Sequence, residues 1–269
     1  MASPARGRAD FGRALCVITG ASRGFGRALA KQVSGLVRAG SVLVLAARSA
    51  DDLQTLRAEL TQSGASPPGL VVQCVAADLG SAQGVESVVT TCKAAFTEDI
   101  DHVFLINNAG ALGDVSRYLK GFTDMTEVNS YLSLNVSSML CLTASVLQAF
   151  PPRPGLRRTA INVSSLTALQ PFPSWVLYCT GKAARDMMFR VLAEEQPDVR
   201  VLNYAPGPLD TEMLRNAVSR TADPTIKKSF VDLYAKGEVL TCEASSSKLM
   251  KLLLEDSFTS GAHVDFYDI

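Results

Sequence analysis

Short apolar runs alternate with helix-patterned stretches along the chain. This alternation predicts an α/β fold, a doubly wound parallel sheet of about seven strands with helices on both faces. Two further observations support it. Most of the runs are apolar throughout, as strands covered on both faces require. A glycine-rich loop also joins the first run to the first helix, where such sheets receive phosphate.

In order, the first strand is expected over residues 15–19 (LCVIT), with a helix over 24–37. A second strand follows at 42–46 and a helix at 50–61. The segment SGASPPG (63–69) is a loop by its turn residues. A strand at 70–76, a helix at 81–96 and a strand at 102–106 come next. A long helix is expected over 126–150, closed by PPRPG (151–155). The fifth strand lies at 159–163, and the helix carrying Tyr178 runs to about residue 195. A strand at 199–203, polar helical segments to about 236, a helix at 245–254 and a strand at 262–266 complete the pattern. One domain is expected over 1–269, with 1–12 as a flexible extension. That extension is polar and lacks the apolar stretch of a signal peptide. No apolar run is read as long enough to span a membrane.

Lys+Arg and Asp+Glu each number 26, so the formal net charge is zero. Nucleic acids and anionic membranes demand a basic excess, so neither is expected as a partner. Cys16, Cys74, Cys92, Cys141, Cys179 and Cys242 form no CxxC pair. Neither a disulfide framework nor a metal site is expected, and several lie in apolar runs, as reduced thiols of a cytoplasmic protein would.

The loop TGASRGFG (19–26) carries Gly20, Gly24 and Gly26 directly between strand and helix. Gly20 permits a tight turn, Gly24 lets backbone approach a pyrophosphate, and Gly26 allows close helix packing. The helix N terminus adds free N–H groups and a positive dipole. The spacing departs from GxGxxG, and a glycine-rich turn without a ligand is the alternative. Dinucleotide sites for NAD place an acid at the end of the second strand. Here Arg48 stands there, and Arg23 lies in the loop, so a 2′-phosphate and hence NADP is favoured over NAD. Either arginine could instead be a solvated surface residue. Asp78, after the third strand, suits an adenine amino group or a helix cap. NNAG (107–110) follows the fourth strand.

The stretch VSSLTALQPFPSWVLYCTGK (163–182) contains Ser165, Tyr178 and Lys182. Tyr178 and Lys182 share one helix face at i and i+4. A hydride adding to a carbonyl leaves an alkoxide that needs a proton and hydrogen bonds. Tyr178 could give the proton, its pKa lowered toward neutrality by the Lys182 ammonium, while Ser165 orients the carbonyl oxygen. An ordinary helix surface pair is the alternative.

Together TGASRGFG, NNAG, Ser165, YCTGK and Pro206-Gly207 resemble the short-chain dehydrogenase/reductase family, in its order and along the whole chain. The resemblance implies a Rossmann-type NADPH-dependent oxidoreductase. It implies that Asn135 is a fourth catalytic residue, holding a water that links Lys182 to solvent, and that Lys182 binds the ribose. It also implies a cofactor-binding set of Ser22, Phe25, Ser49, Leu79, Asn108, Leu209, Thr211 and Met213 beside the residues above. A homodimer formed through the helices around 126–150 and 176–195 follows from it too. Longer stretches, including INNAGALGDVS and SGAHVDFYD, are similar to the members that reduce pterin side-chain ketones (sepiapterin to dihydrobiopterin, and 6-pyruvoyl-tetrahydropterin to tetrahydrobiopterin). That similarity implies a pterin substrate anchored by Asp265, with Gly207 leaving room for it. A turn-forming acid or a salt bridge is the alternative for Asp265. Phe172, Trp175 and Met213 are candidate walls or plain core, and the segment 116–121 is an addition at the pocket edge. Two other readings remain: a general reductase of quinones, diketones or steroids, and a non-catalytic NADP sensor.

Overall fold

The computed structural model describes residues 9–62, 64 and 66–269. Seven parallel strands form one sheet in the order β3-β2-β1-β4-β5-β6-β7. They are β1 (Ala14–Thr19), β2 (Val42–Ala47), β3 (Val71–Ala76), β4 (His102–Asn107), β5 (Arg157–Val163), β6 (Val199–Ala205) and β7 (His263–Asp265). Strand order reverses between β1 and β4, and ligands of such sheets bind at that switch point.

β1, β2 and β4 are buried at every position, which accounts for their largely apolar sequences, with polar Thr19, His102 and Asn107 only at strand ends. β3, at the edge, alternates exposed and covered residues and so carries the polar Gln73. One core joins Cys16 and Ile18 of β1 to α1 (Gly24–Ser34), α2 (Ala50–Gln62) and α9 (Cys242–Glu255). The opposite core joins Leu15 and Val17 to α3 (Ala82–Ala95) and α5 (Ser138–Ala149). Beside that second core, β5 and β6 are covered by α6 (Val176–Glu195). Side chains of Ser81, Thr211, Asp223 and Thr241 cap α3, α7 (Glu212–Arg220), α8 (Pro224–Ala235) and α9 by accepting free backbone N–H groups.

The structure corrects the sequence reading in four places. The expected helix over 126–150 is α4 (Met125–Leu132), a π-helical turn (Ser133–Ser137) and α5. Met125–Ala149 is also long and apolar enough, by length and composition, to cross a membrane. It lies instead against α3, with polar Asn135 and Thr143 turned inward. The last strand ends at Asp265, and Phe266–Asp268 forms a 3-10 turn. Of the expected flexible extension, residues 1–8 lie outside the described residues, but the end of it is tied down. Phe11 is 2 % exposed and packs on the Phe104 ring. Its carbonyl accepts from Arg157 Nη2 at 2.6 Å and its amide donates to Leu36 O at 2.8 Å.

Candidate active site

The glycine loop has no room for side chains where it turns. Gly20 and Gly24 have φ of +67° and +54°, and a Cβ on Gly26 would lie 2.1 Å from the Gly20 carbonyl oxygen. The first turn of α1 therefore rests directly on the loop, which is why glycine is required at position 26. Arg23 occupies the N-cap position of α1 but its side chain makes no hydrogen bond to the helix, leaving the helix N terminus without a side-chain cap. Asn108 Nδ2 donates to the carbonyls of Thr19 (2.9 Å) and Gly20 (3.2 Å), while Thr19 Oγ1 accepts from the amides of Asn108 and Ala109. The loops after β1 and β4 are thus one unit.

Across the groove, Thr211 Cγ2 would lie 3.3 Å from a Cβ on Gly24. Leu209 is buried and bridges to Leu240, and Met213 packs with Trp175 and Leu214. Arg23 forms an ion pair with Glu212 over this groove, so its guanidinium is partnered rather than free. Arg48 is exposed at the end of β2, and Ser49 Oγ accepts from the Asp52 amide at the start of α2. Asp78 Oδ1 accepts from the Gly80 amide at 2.9 Å in its own turn, and Ser81 caps α3, which removes capping as the role of Asp78. Leu79 is buried beside it. The Phe25 ring is buried and stacked on Tyr204, which leaves its backbone as the part that can face a ligand. The side-chain-free turn, the uncapped helix terminus and exposed Arg48 fit a dinucleotide bearing a 2′-phosphate.

Tyr178, Lys182, Arg185 and Asp186 share one face of α6, at i, i+4, i+7 and i+8. Lys182 is buried, donates to Val163 O at 2.7 Å and lies 5.5 Å from the Tyr178 ring centroid. Lys182 is not among the groups that shift the Tyr178 phenol. Burial pushes the phenol up to about 12, against the pull of the Arg185 guanidinium and a hydrogen bond with Ser165. Burial, with Arg185 beside it, holds the Lys182 ammonium well below its usual range. At neutral pH Tyr178 is therefore a protonated acid. Ser165 opens a 3-10 turn, and its Oγ accepts from Thr167 N (3.2 Å) and Thr167 Oγ1 (3.0 Å). Asn135 sits in the π-helical turn. Its Oδ1 accepts from Ala111 N at 2.8 Å and its Nδ2 donates to Tyr131 O at 2.9 Å, so the side chain serves the backbone.

Trp175 donates its indole N–H to Thr221 Oγ1, stacks on Phe230 and meets the Tyr178 ring edge-on at 5.5 Å. It is a buried support for Tyr178 rather than an open wall. Phe172 meets Trp175 edge-on and lines an open groove of about 760 Å³ with Tyr118, Leu119 and Cys179. At Gly207, φ is +75° and a Cβ would lie 2.7 Å from Leu240 Cδ1, so glycine is required there by backbone conformation and by close packing. Asp265 is half-buried. Its Oδ1 accepts from Tyr267 N at 3.0 Å, and its own N–H donates to Asp268 Oδ2, a capping box that realises the turn-forming alternative with one carboxylate oxygen.

Sequence reasoning missed a polar layer beneath these groups. Asn107, Asn162, Asn203 and His263 stand in register across β4 to β7. Asn162 Nδ2 donates to Asn203 Oδ1 at 2.9 Å and to Asp186 Oδ1 at 3.0 Å. Asp186 also accepts from Ser164 Oγ and pairs with His263 Nδ1. Arg185 donates to Asn107 O, Ala109 O and Asn162 Oδ1. The available signal was the placement of Arg185 and Asp186 on the same helix face as Lys182.

A family model described as short chain dehydrogenase matches residues 14–222. Sepiapterin reductase of Bos taurus is 55% identical over 259 residues, covering 96% of both chains. Sepiapterin reductase of Rattus norvegicus is 53% identical, covering 96% of this chain and 98% of its own. Among solved structures, the KRED1-Pglu enzyme is 28% identical with a TM-score of 0.78, covering 93% of this chain and 99% of its own.

The glycine cradle yields a direct test. Gly26→Ala forces a methyl against the Gly20 carbonyl and Asn108 Nδ2, so cofactor affinity should fall at least tenfold and stability by about 1–3 kcal/mol. Cofactor titration and urea unfolding measure both, and wild-type values in the two would show that the loop is not so packed.

Proposed function

We propose that this chain, which belongs to the short-chain dehydrogenase/reductase family, is an NADPH-dependent reductase of pterin side-chain ketones. The observation that carries the chemistry is Tyr178, with Ser165 and buried Lys182 beside it, set next to a glycine cradle at the switch point. The substrate class rests on 50–55% identity to sepiapterin reductases along 96% of the chain. NADPH supplies the hydride that reduces the carbonyl carbon. Ser165 Oγ hydrogen-bonds the carbonyl oxygen, and Tyr178 transfers its phenolic proton to that oxygen as charge develops on it. Buried Lys182 ties α6 to the end of β5 through Val163 O and so fixes the height of Tyr178 above the sheet.

Asp265 is the anchor for the ring in this reading. Its Oδ2 receives no hydrogen bond from the described residues, and a pterin 2-amino group with the adjacent ring N–H presents donors to it. The preference for NADPH rests on Arg48, exposed where an NAD site would carry an acid. The segment 116–121 is pinned by its own ion pairs at the edge of the groove lined by Phe172 and Cys179. Arg117 pairs with Asp114 and Glu127, and Tyr118 Oη donates to Asp223 Oδ2 at 3.2 Å.

The subunit is proposed to pair with a second copy through α5 and α6. Their outward stripes carry Leu140 (52 % exposed), Met187 (54 %) and Val191 (44 %), with Cys141, Ala144 and Ala183 between them. Isolated exposed apolar residues are ordinary, but a stripe on two helices of the same face is an interface feature.

Three measurements check this reading. NADPH oxidation with sepiapterin should exceed that with simple diketones, and Asp265→Ala should cut pterin turnover about 30-fold or more while sparing diketones. Better turnover of diketones by the wild type would favour the general reductase, and equal loss of both in the variant would make Asp265 structural. Arg48→Asp should swing cofactor preference toward NADH, and an unchanged ratio would place Arg48 among surface residues. Sedimentation at micromolar concentration should give twice the 28.6 kDa of one chain, and a monomer would refute pairing.

A further inference from the structure

Arg185 heads the fully buried side chains ranked by size, at 1 % exposure. Buried arginines usually lie against a carboxylate. Here the guanidinium hydrogen-bonds only neutral oxygens, Asn107 O (2.6 Å), Asn162 Oδ1 (2.8 Å) and Ala109 O (2.9 Å). The neighbouring carboxylate, Asp186, is taken by Asn162, Ser164 and His263. The charge of Arg185 is thus held in a dry layer without a direct counter-ion among the described residues.

Its acceptors are informative. One is the last carbonyl of β4 and another belongs to the loop after it, the loop whose Asn108 grips the glycine turn and whose Ala111 amide reaches Asn135. A Cβ on Gly110 would meet Asn135 Oδ1 at 3.2 Å and Arg185 Nη1 at 3.6 Å, so the guanidinium lies directly against that loop. The same side chain stands two turns from Tyr178 on one face of α6.

We propose that Arg185 is a positioning residue of the ketone reduction: it locks the end of β4 and the loop after it to α6 and adds a standing positive charge, beyond Lys182, on the Tyr178 face of that helix. This rests on the reductase reading above. The charge favours phenolate and opposes the upward push of burial on Tyr178. Burial lowers the Arg185 pKa only to about 10, so it stays charged at neutral pH, whereas the Lys182 ammonium is held well below its usual range. The other titratable groups around the pair are Tyr131 on α4, Cys179, Lys182 and Asp186 on α6, and His263 on β7 through Asp186. From β4, β5 and the intervening loop only neutral oxygens contact the guanidinium.

The sign follows. Ketone reduction consumes the protonated phenol, so kcat/KM falls at high pH as Tyr178 ionises. Removing the positive charge raises that pKa and moves the alkaline limb upward. Arg185→Met should move it by about one pH unit and lower kcat about tenfold or more. Arg185→Lys should keep the limb within about 0.3 unit while losing turnover, because an ammonium cannot span three acceptors. A second readout is the phenolate absorbance of Tyr178, taken as the difference from Tyr178→Phe, which should titrate higher in Arg185→Met by the same amount. An unmoved limb in Arg185→Met, or an upward shift of a full unit in Arg185→Lys, overturns the proposal, and the second outcome stands even where the methionine variant fails to fold. Failure of the wild type to reduce sepiapterin would sink the functional reading instead, and the absorbance titration would still decide the role of Arg185.

Discussion

The site depends on a polar layer inside an apolar sheet. Asn107, Asn162, Asn203 and His263 occupy one register line across β4 to β7, and Arg185 and Asp186 of α6 close that line from one face. Each buried amide or charge placed there is costly unless partnered, so the layer tolerates few arrangements. That constraint fixes the height of α6 over the sheet and with it Tyr178 and Lys182. It also fixes the loop after β4, which in turn grips the glycine turn through Asn108. Cofactor cradle and proton donor are therefore built from one hydrogen-bonded unit rather than from two independent halves.

The same burial decides the chemistry. In water a lysine beside a tyrosine would draw the phenol toward ionisation. Here desolvation dominates, and it penalises the charged form of both groups. The protein thus holds Tyr178 as an acid, which suits the direction in which an alkoxide must be protonated. Trp175, itself packed on Phe230, presents its edge to the ring and limits its motion.

Much of the fold was legible in the sequence, because continuous apolar runs separated by helical periods leave few alternatives to a covered parallel sheet. The glycine turn, Ser165, Tyr178 and Lys182 were legible for the same reason: their residue types answer local demands of backbone and chemistry. What escaped was set by tertiary context. The π-helical turn at Ser133–Ser137 has no glycine or proline to announce it. That Gly207 packs against Leu240, and that the Phe25 ring turns away to stack on Tyr204, are likewise set by distant parts of the chain. Arg185 and Asp186 look like ordinary helix charges, and only the strands beneath them reveal that they face inward. Asp265 shows a mixed outcome, since one oxygen makes the turn that sequence alone allowed and the other is left to its surroundings.

The short β7 strand has a consequence for how the catalytic floor loosens. It adds His263 to the register line and pairs with β6 through only three residues, Asn203, Tyr204 and Ala205. Its undocking would strip the Asp186 carboxylate of its histidine and Asn203 Nδ2 of the Gly261 carbonyl, while the other six strands stay paired. Opening at this edge would therefore disturb the polar layer beneath Tyr178 before it disturbed the core, which couples the retention of activity to the hold of one short strand.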